Sequence, residues 1–275
     1  MVQECEDGKR DEMNHNIAVF KELVRLRMSK LMMFRLGFFG PFFVDGSMFL
    51  IQLLVFEAVY SHVDVIGGFN RGEMIMFIGT FSMINAINMI VYFFGVNSIP
   101  QKIQSGAMDL YLTKPVDPLF HISFESINPG SIPLAIFSLF LIIYGAGINQ
   151  LQISLFNVVC YILLMIGMLI LYYDLEVIIR TISFFTISTN SIIQIEETGL
   201  ELCMKLPGTV MYGGFKVLFY IILPYGIMAT VPTKVLAGTY TISEVIYGVF
   251  IIVIFTVFMR VFWKMGIKHY NSASS

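Results

Sequence analysis

The sequence predicts an all-α integral membrane protein of six transmembrane helices, and three observations lead there. Hydrophobic residues make up 57% of the 275-residue chain and charged residues only 13%, with a mean hydropathy of +0.79. A water-soluble domain of this size has no place to hide so much apolar surface. The apolar residues also fall into blocks near the ~20 residues that cross a bilayer, and polar or Pro/Gly-containing stretches separate them.

The same composition excludes other classes. The net charge is −2 and the basic residues form no stripe with interleaved aromatics, so no nucleic-acid partner is expected. Cys5, Cys160 and Cys203 suggest neither a disulfide nor zinc spacing. His15, His62, His121 and His269 are scattered, and no Ser/His/Asp set or carboxylate pair can be drawn. No catalytic residue, no metal and no enzyme activity are expected of this chain.

Residues 1–16 mix acidic and basic side chains without an apolar run and read as a mobile, solvated cytoplasmic tail. No signal peptide is recognisable. Ile17 to Leu36 reads as an amphipathic helix in the membrane interface, where Arg27 and Lys30 can snorkel to the headgroups. A first span runs from about Phe38 to Val59, and a short loop leads to a second from about Glu73 to Gly95. Asn85 and Asn88 lie three apart on one face of that second span. Amides so placed hydrogen-bond to neighbouring helices in lipid, or line a path through them.

The run Asn97 to Glu125 follows, the one place where this hydrophobic chain turns polar and shaped. Pro100 suits a first helical turn, and Pro115 and Pro118 cannot continue a helix, so a short surface helix is predicted from Gln101 to Leu112. Ile103, Met108, Leu110 and Leu112 are expected on apolar neighbours, with Lys102, Gln104 and Asp109 toward water.

A third span is expected from about Ser131 to Tyr144 and a fourth from Ile153 to Tyr172. Asp174, Glu176 and Arg180 then read as a return to water, the last two as a surface pair four residues apart. Hydropathy is ambiguous for the next two blocks. Ile178 to Cys203 is apolar and then rich in Ser, Thr and Asn; Phe215 to Leu236 is apolar but interrupted by Pro224, Gly226 and Pro232. Ser243 to Trp263 is the last span. Basic residues at both termini place both in the cytoplasm and demand an even number of crossings, so one block does not cross. The charge rule mildly favours Phe215 to Leu236 as the fifth crossing. Its Pro/Gly breaks favour a re-entrant hairpin instead, leaving the weaker block to cross, because irregular backbone survives at membrane depth only where protein or a cavity satisfies it.

At this point the chain resembles a family, the membrane permeases of type-2 exporters among the ATP-binding-cassette (ABC) transporters. The likeness rests on the run SGAMDLYLTKPVDPLF, similar to the family's G-x-x-D-x-x-L-x-K-P stretch, and on LPGTVMYGGFKVLFYIILPYGIMATVPTKVLAG, similar to its segment after the fifth span. The order of parts agrees over about Asn16 to Lys268.

The resemblance implies a permease domain over 37–268, with a cytoplasmic coupling segment at 97–125 and a re-entrant outer hairpin at about 207–238 marked by Pro207, Pro224 and Pro232. A short cytoplasmic tail, 269–275, follows. Gln101, Lys102, Gly106, Asp109, Lys114, Pro115 and Asp117 would couple the permease to a separate ABC ATPase subunit, which would carry the ATP and Mg. No Walker A pattern occurs in this chain, and no cofactor of its own is expected.

Asn85, Asn88, Thr186, Ser188, Thr189 and Asn190 would line a translocation path for an amphiphilic or hydrophobic cargo, which leaves the cell. The permease would pair with a second copy or a paralogue in the lipid of the cell membrane. The sequence departs from the family at Met211 to Gly214, where a tryptophan or arginine is common. A stand-alone channel or secondary carrier is the alternative; its signature would be ionisable residues in mid-membrane.

Overall fold

The computed structural model describes residues 35–148, 154–186 and 188–270. The tail 1–16, most of the interfacial helix 17–36, the turn at 149–153 and residues 271–275 lie outside the described residues. The described chain is mostly helical.

Helix α1, Arg35–Tyr60, leads into a two-stranded hairpin, β1 (Val65–Ile66) and β2 (Phe69–Asn70). Gly67 and Gly68, with φ of 58° and 85°, form its two-residue turn, where left-handed φ at both positions favours glycine. The Asn70 side chain accepts from Glu73 N while Glu73 accepts from Asn70 N, each at 2.9 Å. This reciprocal cap starts α2, Arg71–Val91, two residues before the expected Glu73.

Helix α2 is the central pillar: 72% of its apolar window is buried, against 17% for the last helix. Five short elements then cover the polar segment. They are α3 (Phe93–Asn97), α4 (Ile99–Gln104), α5 (Asp109–Leu112), α6 (Pro118–Phe124) and a 3-10 turn at Pro129–Ser131. Helix α7, Ile132–Ile148, returns antiparallel to α2 and reaches past the expected Tyr144.

The α2–α7 seam is built on small residues, as helix pairs in lipid are. The Ser82 and Ser138 hydroxyls meet at 2.7 Å. A Cβ added at Gly145 would lie 2.6 Å from the Gly72 carbonyl oxygen and 2.9 Å from Met76 N, whereas one at Gly147 meets nothing within 4 Å. Backbone cannot yield as a side chain can. Gly145→Ala is therefore expected to lower the thermal midpoint in detergent, by about 1–3 kcal/mol of stability, while Gly147→Ala leaves it unchanged.

Helix α8, Leu155–Thr181, continues through Asp174, Glu176 and Arg180 instead of ending near Tyr172, and a 3-10 turn at Ile182–Phe184 closes it. The block Ile178 to Cys203 is thus divided between the end of α8 and a separate helix α9, Asn190–Lys205. Helix α9 begins beside the polar segment and ends at Pro207, where Val210 packs on Gly67 of the β hairpin. At 16 residues it is too short to count among the membrane-crossing helices by length.

The next block is broken as its prolines foretell. Helix α10 (Gly213–Val217) runs into a π turn at Leu218–Ile222; α11 (Tyr225–Met228) and α12 (Thr230–Ala237) follow beyond Pro224, and the two halves bend by 76°. Pro224 has no N–H to continue the ladder. Gly208 packs against the break so closely that a Cβ there would sit 2.3 Å from the Gly226 carbonyl oxygen, and Gly208 N donates to Thr230 Oγ1 at 3.0 Å. Helix α13, Ile242–His269, starts with a second reciprocal cap, Thr241 with Glu244, and ends with Arg260, Lys264 and Lys268 exposed.

Among the described residues, four helices are long and apolar enough to cross a membrane: α2, α7 with its 3-10 entry, α8 with its 3-10 exit, and α13. The bent pair makes five if taken as one span, and α1 contributes a shorter apolar helix, Gly46–Tyr60. The protein is a multi-pass membrane protein.

Candidate functional site

The polar segment is assembled on a small core of its own. Tyr92, Val96, Ile99, Met108 and Ile122 pack with Val177 and Phe184 at the end of α8 and with Met259 and Trp263 of α13. Gly95 permits the closest approach, since a Cβ there would lie 2.1 Å from the Ile122 carbonyl oxygen. Any push on this segment is delivered to the ends of two long helices.

The expected single helix from Gln101 to Leu112 is instead two. Gly106, at φ 73°, ends the first in a left-handed conformation that glycine adopts without strain, and the Met108 N–H closes the turn on the Lys102 carbonyl at 3.1 Å. Met108 is buried as expected and Ile103 partly so.

Beyond the break Leu110 and Leu112 leave their expected face, and before it Lys102 leaves water for a partner on another element. Lys102, expected in water, is half-buried; it pairs with Glu125 at 2.6 Å and donates to Ser98 Oγ at 2.8 Å. Leu110 and Leu112, expected on apolar neighbours, are 66% and 37% exposed. Gln104 is exposed and Asp109 half-buried, its carboxylate close enough to Tyr270 to raise that phenol, after burial itself.

Gln101, Lys114, Pro115 and Asp117 are exposed and Gly106 is half-buried. Asp117 also caps α6, accepting from Phe120 N at 2.9 Å, with Pro118 in the first turn. Three residues that the sequence did not single out bind the surface together. The Tyr111 hydroxyl donates to Glu125 at 2.7 Å, and the ammonium groups of Lys102 and Lys114 lie 5.3 and 5.2 Å from the Tyr111 ring centre, within cation–π range. His121 packs on the same ring. Burial, and then Lys114, push its imidazole below its ordinary value, so it is neutral at pH 7 and leaves the two lysines as the local positive charge.

The residues expected along a path are not gathered in one place. Asn85 lines an open cleft of about 980 Å³ between α1, α2 and α9, together with Ile51, Gln52, Val55 and the pair Glu201–Lys205. Asn88, one turn on, is fully buried beside Tyr172. Thr186 and Ser188 are exposed in the turn between α8 and α9, Asn190 is exposed at the start of α9, and Thr189 is buried in that turn, 3.0 Å from Ser183 Oγ. Pro207 ends α9, Pro224 sits at the 76° break and Pro232 lies in the first turn of α12.

Asp174, Glu176 and Arg180 overturn their water-facing assignment, being 1%, 1% and 0% exposed. Arg180 Nη1 lies 2.7 Å from Glu196 Oε2 and 3.1 Å from Glu176 Oε2. The Tyr225 hydroxyl donates to Glu196 Oε1 at 2.5 Å, so one cluster joins α8, α9 and α11. Asp174 turns toward α13 and accepts from Thr256 Oγ1 at 2.5 Å. Local spacing showed the Glu176–Arg180 pair but not Glu196, which a turn and a change of helix separate from it.

Residues 47–274 match the model of a family described as ABC-2 family transporter protein. The match takes in both the polar segment and the buried cluster. No curated protein and no solved structure matches the chain.

Proposed function

The chain belongs to the ABC-2 transporter family, and on that premise we propose that it is the permease subunit of an ABC exporter, driven by a separate ATPase that binds the 97–125 segment. The carrying observation is that this segment is a braced, partner-sized surface seated on the ends of α8 and α13. Leu110 and Leu112 project from it uncovered, beside the exposed Gln101, Lys114, Pro115 and Asp117. Exposed leucines within a rim of polar side chains suit docking to a protein groove.

In this reading ATP and Mg bind the ATPase, closure of its dimer moves the segment, and two permease copies alternate between inward and outward openings. Such a change needs states that differ in their affinity for ligand. The cleft beside Asn85 suits an amphiphilic or hydrophobic cargo, because its walls are apolar except for Gln52, Asn85 and the Glu201–Lys205 pair. Both termini would lie in the cytoplasm and the protein in the cell membrane.

A stand-alone carrier is the second reading, favoured by one observation: ionisable residues are buried between the spans at Glu176, Arg180 and Glu196. Purification of the tagged protein from its own host in mild detergent separates the two. The expected result is a stoichiometric soluble partner carrying a Walker A loop, with ATP hydrolysis in the preparation. An ATPase-free oligomer overturns the permease assignment in favour of the carrier.

A further inference from the structure

The buried cluster has two carboxylates, one guanidinium and almost no access to solvent. With every group ionised it carries one excess negative charge, which is costly to hold out of water even after relaxation. Among the described residues, these groups face it. Arg180 and the Tyr172 phenol come from α8, Glu196 and Glu197 from α9, Tyr225 from α11, and Tyr92 and the neutral amide of Asn88 from the end of α2. None of these but Arg180 brings positive charge.

The two carboxylates are not equivalent. Glu196 accepts two hydrogen bonds, from Arg180 Nη1 and from the Tyr225 hydroxyl, the environment of an ionised carboxylate. Glu176 Oε2 lies beside Arg180 but accepts no hydrogen bond, although it is fully buried.

We propose that the Glu176–Arg180–Glu196 cluster is a proton-binding site, which takes up one proton on Glu176 and so seats α9 and α11 on α8 as a neutral unit. The step is a simple protonation of the Glu176 carboxylate, with Arg180 and Glu196 remaining an ion pair. Any conformational change that parts α9 from α8 admits water to Glu176 and releases the proton. This inference does not depend on the ATPase assignment.

The sign of the pH dependence follows. The unfolded glutamate gives up its proton near an ordinary value of about 4.3, so at neutral pH the folded state holds a proton that the unfolded chain has lost. Stability is then greatest on the acid side and falls as pH rises.

The test is thermal unfolding of the full-length protein in detergent between about pH 6 and pH 8. The wild-type midpoint is expected to fall by roughly 3 °C per pH unit for one linked proton. Glu176→Gln and Glu196→Gln each remove the excess charge, so each should flatten that slope by this amount, and either variant suffices if the other fails to fold. The double variant leaves Arg180 unpaired and is expected to be less stable than both at every pH. A wild-type slope of zero, or a slope retained in the single variants, overturns the proposal. So does a wild-type midpoint that rises with Na⁺ or K⁺ and loses that response in Glu176→Gln, because an alkali cation then supplies the missing charge.

Discussion

Arg180→Met is expected to leave little or no folded protein at neutral pH. The guanidinium is 0% exposed and stands between the carboxylates of Glu176 and Glu196. Removing it strands two buried acids with only the Tyr225 hydroxyl as donor. Breaking a buried ion pair by deleting one partner costs about 3–5 kcal/mol, a large part of the roughly 5–15 kcal/mol that holds a domain folded. The check is the yield of monodisperse protein and its thermal midpoint, with one control: the variant should recover at neutral pH when Glu176→Gln and Glu196→Gln are added, because a cluster replaced whole does not carry the penalty of a cluster broken. A midpoint within a degree of wild type in Arg180→Met alone would mean that the charges are hydrated and the cluster is not a junction.

The second large effect is expected at the opposite extreme of exposure. Leu110→Glu combined with Lys114→Glu should release the ATPase, weakening its binding by about 30-fold or more, the loss typical of an interface centre. Leu110 is 66% exposed, and Lys114 is an exposed side chain with its ammonium beside the Tyr111 ring. The thermal midpoint of the permease alone should therefore stay where it is. Retention of the partner and of its ATP hydrolysis would remove the 97–125 surface from the coupling pathway. Asp109 is the poorer probe, because it is half-buried against Tyr270 and its loss would disturb the fold as well.

Much of this architecture was legible in the residues. Four of the spans follow from apolar runs alone, and the break at Pro224 from proline chemistry. The Gly106 interruption was also visible, as a glycine inside a helical pattern, but Pro100 and Pro115 were taken as the only limits of the helix. That omission placed Leu110 and Leu112 on the wrong face, whereas Lys102, before the glycine, is drawn in by Glu125 from another element. The error at Asp174, Glu176 and Arg180 is of a different kind. Hydropathy counts every charge as a preference for water, whereas Arg180 meets Glu196 and Asp174 meets Thr256, each on another helix. A partner supplied by another element has no local signature. Helix α9 was hard to rank for the same reason, since Glu196 looks like a cost to insertion until Arg180 is beside it.

The burial of α2 bears on how the chain is made. Thr80, Ser82, Asn85 and Asn88 lie on a helix that is made early, yet α7, α8 and α12, which pack against it, all follow it. Until α7 arrives, Ser82 has no Ser138, and until α8 arrives, Thr80 has no Tyr161. The nascent protein thus passes through an interval in which its least hydrophobic faces meet lipid or the insertion machinery. Chains halted before Ile132 would remain in that interval, marked for membrane quality control by the same side chains that later fasten the bundle.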